Sequence, residues 1–407
     1  MQDRSTRPFD VIVFGASGVT GRRAVEDLAR RAPGRFAMAG RDLAKLATVR
    51  EELAAFVPAV SDVSLVRAAV DDPESLRKMA SQCRVVANAV GPYAHYGTPV
   101  VEACLASGTD HCDITGEVQW MRSIIERFDR AAKESGVRVV HACGFDSIPS
   151  DLGVLSLDHK ARTRGLRLAR VRYVLHGVRG RGSGGSFASL NNMFAKANED
   201  PAVRGLLTDP YSLCPDGAPD ADRGEFKGVR FDRARGGWAG PFFMAPMNER
   251  VVRRSNALLG YRYGRGLRYE ESHAFGRGPI GLTGAVTVAA FINAIPWIMD
   301  GPWRRRAFAA ISPKPGEGPT REQIVRGYFA LTLDAETTEG DREGPLLSVS
   351  VKGDRDPGYG ATGGMFAESA LLLAEDSEPR EGGVHTTASA LGLRAIERMA
   401  RAGVVFE

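Results

Sequence analysis

Short apolar runs alternate with amphipathic stretches over the first 147 positions. The run Val11–Phe14 has the length and composition of a buried parallel strand, and a helical pattern through Val25, Leu28 and Ala29 follows it. The alternation predicts six strands, at Val11–Phe14, Arg35–Ala39, Val63–Val70, Arg84–Val90, His111–Ile114 and Val137–Cys143. Helices are predicted between them, the later ones at Leu43–Phe56, Pro73–Ser81, Thr98–Ser107 and Val118–Ser135. This order is typical of an α/β fold with a doubly wound parallel sheet of the Rossmann type.

After residue 147 the pattern changes, and a chain of 407 residues is long enough to form two cores. We therefore expect a second, α+β domain over 148–360. Its predicted features are β-rich stretches at 165–190 and 266–275, a helix at 191–207, a mobile Gly/Pro-rich loop at 214–240, and antiparallel strands at Phe329–Leu333 and Leu346–Val351.

The last part of the chain, 361–407, carries two further helical patterns, Thr362–Leu373 and Thr386–Arg401. A final strand is predicted at Gly403–Phe406. We expect these helices and the strand to pack back on the first domain.

The segment 278–299 is the longest stretch of the second domain without a formal charge, and Trp303 and three arginines follow it closely. Its length and flanks suit contact with a membrane surface. Pro279, Pro296 and Asn293 weaken that interpretation, so a buried core helix is the alternative. A helix that crosses the bilayer is the least favoured of the three.

Composition narrows the class of protein. The formal charge of +5 comes from 46 Arg and 8 Lys spread along the whole chain, without a basic arm or zinc module, so we expect no nucleic-acid partner. Five scattered cysteines without a CxxC motif indicate reduced thiols. Because no apolar segment precedes the first strand, we expect a cytoplasmic protein, with peripheral attachment to a membrane or lipid surface as an open alternative.

A glycine-rich turn joins the first strand to the first helix. Glycines three residues apart let the backbone approach a bound pyrophosphate, and the amides at the helix start point at that anion. A GxxGxxG string alone is a weak signal, but its position in an alternating strand–helix pattern makes a dinucleotide site the favoured interpretation. The predicted contacts are Gly15, Ser17, Gly18, Val19, Thr20 and Gly21.

The end of the second strand bears on the choice of cofactor. NAD-specific sites usually place an acidic residue there, whereas this chain has Arg41, with Lys45 one turn later. Arg41 suits a 2′-phosphate, so NADP(H) is favoured, although Asp42 is a rival that can equally cap the next helix. Asp71, at the end of the third strand, is predicted either to meet the adenosine or to cap the helix that begins at Pro73.

Other polar residues follow the later strands, whose carboxyl ends face the ligand crevice. Backbone contact to the nicotinamide half is expected at Asn88, Val90, Gly91 and Pro92, with Tyr93 and His95 near it. Asp113, Glu117 and Asp146 end the fifth and sixth strands and carry two interpretations, acid–base groups or helix caps and loop anchors, the second being favoured for each taken alone.

Several chemistries are disfavoured because their motifs are absent. The chain has no Tyr-x-x-x-Lys pair, GxSxG elbow, HExxH or phosphate-binding Gly-Lys-Ser/Thr motif. Its seven histidines show no metal-ligand spacing, so we expect no metal site.

At this point the sequence resembles the saccharopine dehydrogenase-like oxidoreductases, and more narrowly their trans-acting enoyl reductase branch. The resemblance spans nearly the whole chain, and its most specific block is Cys143-Gly-Phe-Asp-Ser-Ile-Pro-Ser-Asp151. The other first-domain blocks are Phe14–Gly21, Ala39–Arg41, Val90–Tyr93 with Tyr96-Gly97, and His111–Glu117. Later blocks are Gly182–Ser189, Asp209–Tyr211, Ala245-Pro246 with Arg253–Asn256, Pro313–Gly316 and Gly382–Val384.

The resemblance implies an NADPH-dependent reductase that acts on a lipid-linked acyl chain presented by a synthase or carrier. Tyr93, His95 and Asp146 are the residues we expect to polarise the substrate or deliver a proton. Two alternatives stay open, a non-catalytic NADP-binding scaffold associated with lipid and a saccharopine-type amino-acid dehydrogenase. The latter is weaker because no basic cluster for an amino acid is evident. Whether the chain forms a homodimer is also open.

Overall fold

The computed structural model describes residues 4–180, 184–215, 217–218, 226–311, 318–340, 342–376 and 381–407. Over the first 147 positions strands and helices alternate. The strands are β1 (Phe9–Phe14), β2 (Phe36–Gly40), β3 (Ser64–Arg67), β4 (Cys83–Asn88), β5 (Asp110–Asp113) and β6 (Arg138–Val140). The helices are α1 (Val19–Arg31), α2 (Leu43–Ala54), α3 (Pro73–Ala80), α4 (Tyr93–Ser107) and α5 (Val118–Ser135).

The second half of the chain builds a mixed layer of strands and helices. Its helices are α6 (Ile148–Arg162), α7 (Gly184–Glu199), α8 (Pro201–Thr208), α9 (Ala245–Leu258), α10 (Gly278–Asp300), α11 (Pro302–Ile311) and α12 (Arg321–Val325). Its strands are β7 (Arg167–Arg179), β8 (Arg230–Asp232), β9 (Gly237–Pro241), β10 (Arg268–Gly276), β11 (Tyr328–Glu339), β12 (Arg342–Glu343) and β13 (Leu347–Gly353). The C-terminal part adds α13 (Thr362–Glu375), β14 (Gly383–His385), α14 (Thr387–Leu391), α15 (Arg394–Met399) and β15 (Val404–Phe406).

The first sheet is parallel throughout, with strand order β14-β6-β5-β4-β1-β2-β3. The predicted doubly wound sheet is confirmed, and β1 lies beside both β2 and β4. The strand order reverses at this point, so a crevice opens at the carboxyl ends of β1 and β4. The sheet also has a seventh strand, β14, which the sequence did not predict because its three residues come some 240 positions after β6.

The second sheet has the order β15-β13-β11-β7-β10-β9-β8, with β12 paired to β11. Only β7 and β10 run parallel, so the predicted α+β character and the antiparallel pair β11–β13 are confirmed. The prediction that the final strand packs on the first domain is wrong, because β15 pairs with β13 at the edge of this second sheet. Helix α13 instead packs against α1 and the strands β1, β4 and β5 of the first sheet. The C-terminal part therefore contributes to both layers.

Three predicted elements differ from the structure for local reasons. The helix predicted at Thr386–Arg401 is wrong as one unit, because Gly392 has φ +65° and separates α14 from α15. The helix at 191–207 is divided where the Asp200 side chain caps α8 by accepting from the Ala202 amide. The loop at 214–240 contains β8 and most of β9, and its residues 216 and 219–225 lie outside the described part.

A buried polar cluster joins the two layers. The Glu271 carboxylate on β10 accepts hydrogen bonds from the Ser150 hydroxyl of α6 (2.6 Å), the Tyr269 hydroxyl (2.7 Å) and the Asn248 amide of α9 (2.9 Å). Burial raises the pKa of Glu271 to about 7, and these hydrogen bonds oppose that rise. A fully buried carboxyl with three donors ties the helix that leaves the first sheet to the second sheet.

The variant Glu271→Gln tests this carboxyl. Because the folded-state pKa, about 7, lies above the ordinary 4.5, the folded protein holds the proton more tightly. That stabilisation is complete below pH 4.5 and is lost as the pH rises through about 7. We expect the free energy of unfolding of the wild type to fall by roughly 3 kcal/mol relative to the variant over this range, measured by urea denaturation. Parallel pH curves for the two proteins would contradict the assignment.

Candidate active site

The glycine-rich turn begins directly after β1, and its shape depends on the neighbouring strand ends. Gly15 has φ +86°, and its amide donates to the Ala39 carbonyl at the end of β2 (3.0 Å). The Gly18 amide closes the turn on the Gly15 carbonyl (2.9 Å). Helix α1 then starts at Val19, and no side chain caps it. The first amides of α1 are thus available to an anion, as a bound phosphate requires.

Two glycines of this turn leave no room for a side chain. A Cβ on Gly15 would lie 2.8 Å from Cγ2 of Val90, and one on Gly21 would lie 2.3 Å from the Gly15 carbonyl oxygen. Ser17, Val19 and Thr20 are half-buried around the turn. Such close packing around the turn fits a pyrophosphate cradle.

At the end of β2 the structure separates the roles of two neighbouring residues. The Asp42 carboxylate caps α2 by accepting from the Lys45 amide (2.9 Å). Arg41 and Lys45 are exposed, and within the described residues Arg41 has no ion-pair partner. Because Asp42 serves as the helix cap, Arg41 is the group at this strand end that suits a 2′-phosphate.

Asp71 lies exposed in the turn after β3. The cap of α3 is its neighbour Asp72, whose side chain accepts from the Ser75 amide (3.1 Å). The alternative that Asp71 caps this helix is therefore wrong, and its contact with the adenosine stays a prediction.

The end of β4 is organised by the buried side chain of Asn88. Its Oδ1 accepts from the Val90 amide (3.0 Å), and its Nδ2 lies 3.5 Å from Nε2 of His111. The Gly91–Pro92 peptide is cis, and α4 starts immediately after it. These contacts place Val90 beside the Gly15 turn, so the segment Asn88–Pro92 borders the same crevice.

Helix α4 begins at Tyr93, five residues before its predicted start, because the carboxylate of the residue that precedes α5 caps it. Glu117 accepts from the Tyr93 amide (2.7 Å) and the Ala94 amide (3.0 Å). It also accepts from the Ser189 hydroxyl of α7 (2.8 Å). Glu117 is therefore an anchor between the two domains, which agrees with its interpretation as a helix cap or loop anchor.

Tyr93 does not fit the predicted role in proton delivery. Its hydroxyl donates to the Asn88 carbonyl (2.9 Å) and accepts from the Ile114 amide (3.4 Å), and the side chain is buried. Burial raises its pKa well above the usual value. Since the hydroxyl is both a donor and an acceptor to backbone groups, Tyr93 holds the ends of β4 and β5 together.

His95 and Asp146 occupy different surroundings. His95 is exposed in the first turn of α4, where its ring lies 6.0 Å from that of Tyr96. Asp146 is half-buried after β6, and its Oδ2 lies 3.9 Å from the position that a Cβ on Gly116 would take. No hydrogen bond or ion pair of the described residues engages the Asp146 carboxyl. Desolvation raises the pKa of Asp146 to about 6.

Other carboxyls near the strand ends are fully engaged. Asp113 accepts from Nδ1 of His141 (2.7 Å) and the Thr115 amide (3.1 Å). Burial raises the pKa of Asp113, but the charge and hydrogen bond of His141 outweigh this and lower it overall. Asp151 accepts from the hydroxyls of Ser255 and Thr387. Both carboxyls are anchors, which leaves Asp146, among the acidic groups that follow β5 and β6, without a partner in the described residues.

An apolar cavity of about 650 Å³ extends from this edge into the second domain. Gly116 and Val118 form its end near Asp146, α7 and α8 form one wall, and the C-terminal half of α10 forms another. Its apolar lining includes Leu190, Met193, Phe194, Ala197, Leu207, Phe242, Met244, Met247, Ile292, Ile295 and Trp297. A cavity of this volume and character is typical of a binding site for a largely apolar ligand.

The sequence did not indicate this cavity, because its walls come from five separated segments. The only local signal was the apolar run Phe242–Met244 before α9. No cluster of three or more potential metal ligands occurs within the described ranges.

Known proteins share the cofactor domain, the sequence and the fold of this chain. Residues 11–140 match the model of the saccharopine dehydrogenase NADP binding domain. The trans-acting enoyl reductase of Mycobacterium tuberculosis is 38% identical over 417 residues, covering 98% of this chain and 97% of the relative. That of Mycobacterium ulcerans is 36% identical over 424 residues with the same coverage. The fold is shared with the apo saccharopine dehydrogenase (L-Glu forming) of Saccharomyces cerevisiae, at TM-score 0.54 and 11% identity, covering 98% of this chain and 99% of that one.

The Rossmann-type sheet, the glycine turn and these matches define an NADP-dependent oxidoreductase with a saccharopine dehydrogenase-like cofactor domain. Within that class, the chain belongs to the trans-acting enoyl reductase family. The predicted resemblance, fold class and cofactor are confirmed.

The variant Arg41→Ala tests cofactor selection. Loss of the guanidinium removes the charged donor for the 2′-phosphate, so we expect the Kd for NADPH to rise roughly tenfold to hundredfold. The Kd for NADH is expected to change little. Nucleotide fluorescence titration measures both, with Arg67→Ala as the control, since Arg67 ends β3 but pairs with Asp72 (3.1 Å). Equal losses for the two nucleotides would overturn the role of Arg41.

Proposed function

We propose that this protein reduces a carbon–carbon double bond in an acyl chain that a synthase or carrier presents to it. The observation that carries the proposal is the apolar cavity that reaches Gly116, beside Asp146, at the carboxyl edge of the cofactor sheet. The relatives named trans-acting enoyl reductase support the same reaction.

The residues of the crevice suit the cofactor. The turn from Gly15 to Gly21 and the uncapped start of α1 would hold the pyrophosphate, and Arg41 the 2′-phosphate. Bound there, NADPH supplies the hydride for the reduction.

The Asp146 carboxyl is suited to hold the proton that completes addition of two hydrogens across the double bond. It is half-buried and free of protein partners among the described residues, and its pKa of about 6 keeps a protonated fraction near neutral pH. Tyr93 lacks this freedom because its hydroxyl is bound to backbone groups.

The cavity wall suits the rest of the acyl chain. Its lining is mainly apolar, so burial of methylene groups there is favourable by about 0.8 kcal/mol each.

The variant Asp146→Asn tests the proton donor. We expect kcat for NADPH oxidation with a carrier-linked enoyl thioester to fall roughly 100-fold to 10,000-fold, with unchanged NADPH affinity. In the wild type, kcat should decrease as the pH rises above about 6, because the acid loses its proton.

The matched control is Tyr93→Phe, which should retain most of the activity. A loss in Tyr93→Phe that equals the loss in Asp146→Asn would assign the proton to the tyrosine instead. Tight NADPH binding without turnover in the wild type, with partner synthases present, would favour the non-catalytic scaffold.

The variant Ala197→Phe tests the path of the acyl chain. Ala197 is buried on α7 and lines the cavity, so a larger ring there shortens the available space. We expect KM to rise for long-chain substrates and to change little for a four-carbon enoyl thioester, measured in the same NADPH assay. Equal effects on both substrates would show that the chain lies elsewhere.

A further inference from the structure

Helix α10 leaves a large apolar face uncovered. Within the described residues it is the one helix long and apolar enough to cross a membrane. Its most apolar 18-residue window has a mean hydropathy of 1.7, and only 22% of that window is buried. Ile280 is 88% exposed, Val286 48% and Phe291 50%. Scattered exposed apolar residues are ordinary, but a face of this size along one helix indicates a partner surface.

The opposite face of α10 is fixed to the second sheet. Gly281, Ala285 and Ala289 are buried, and a Cβ on Gly240 of β9 would lie 3.1 Å from the Ala285 carbonyl oxygen. A helix that crossed a bilayer from this position would have to leave β9 and β10. The packing therefore favours a helix that lies on a surface over one that spans it.

The charges around the exposed face indicate what kind of surface it contacts. No acidic residue lies on α10 before Asp300, and Arg304, Arg305 and Arg306 follow at the start of α11. The Arg304 guanidinium lies 4.3 Å from the centre of the Trp297 ring, and Trp303 beside it is 68% exposed. Tryptophans at the end of an apolar face, together with arginines, are typical of attachment to anionic lipid headgroups.

The same helix also forms a wall of the apolar cavity. Ile292, Ile295 and Trp297 line it, while Ile280, Val286 and Phe291 face outward. We propose that the exposed face of α10 with the arginines of α11 binds an anionic lipid surface and sets the cavity beside it. The route of an acyl chain from that surface into the cavity rests on the proposed function, whereas the binding to lipid does not.

Vesicle flotation tests this proposal with the full chain. The vesicles are phosphatidylcholine alone and phosphatidylcholine with about 30 mol% phosphatidylglycerol. We expect the wild type to float with the anionic vesicles, less with the neutral ones, and less again at about 0.5 M salt. The triple variant Ile280→Glu, Val286→Glu, Trp303→Glu should bind at least tenfold more weakly.

The matched control is Leu346→Glu. Leu346 is 74% exposed and precedes β13, which β11 and β7 separate from the part of the sheet that carries α10. This variant should float like the wild type. NADPH titration and turnover of a soluble carrier-linked substrate, unchanged in all variants, show that the fold and the reaction are intact. If the wild type does not turn over this substrate, the proposed function is contradicted, and the flotation result stays valid.

Three results would overturn the proposal. The first is flotation of the triple variant that equals that of the wild type, and the second is no flotation of the wild type on anionic vesicles. The third is a wild-type dimer in light scattering that the triple variant converts to a monomer, without lipid binding by either, which would make a second copy of the chain the occupant of the face.

Discussion

The buried carboxylate of Glu117 connects the parts of this protein that the proposed reaction requires. Two of its hydrogen bonds come from the first amides of α4, and the third comes from Ser189 on α7 of the second domain. The partial positive charge of a helix N-terminus offsets the cost of burying the anion. The preceding residue, Gly116, lies at the junction of the cavity and Asp146. One side chain thus joins the cofactor sheet to a wall of the cavity, next to the residue that borders Asp146.

Buried carboxyls are frequent in this structure, and a raised pKa does not by itself identify the reactive one. Burial raises the pKa of Glu271 to about 7 and of Asp151 to about 6, yet each accepts several hydrogen bonds that join helices and strands. Asp146 has a comparable pKa and no such partner within the described ranges. Its place beside Gly116, which lines the cavity, and its lack of protein partners make it the candidate acid more than its pKa does.

Helix α10 has two faces with different physical roles. Small residues on one face allow close packing on β9, while its C-terminal half closes the apolar cavity. The other face stays open, although its residues are as apolar as those of a core helix. The sequence left membrane contact and core packing as alternatives for 278–299. In the structure one face of this helix is buried against β9, and the opposite face is exposed.

Several parts of this protein depend on neighbouring residues and can be predicted from the sequence. Local periodicity predicts the succession of six strands along the chain. Glycine spacing predicts the strand, turn and helix around Gly15–Gly21, and strand-end position predicts the role of the basic residue after β2. Other parts depend on residues that are distant in the chain and meet only in the folded protein. The strand β14, the cap that starts α4 at Tyr93 and the engagement of the Tyr93 hydroxyl come from groups outside the local pattern. The same is true of the cavity, because its walls meet only when five separated segments fold together and exclude water from one shared surface.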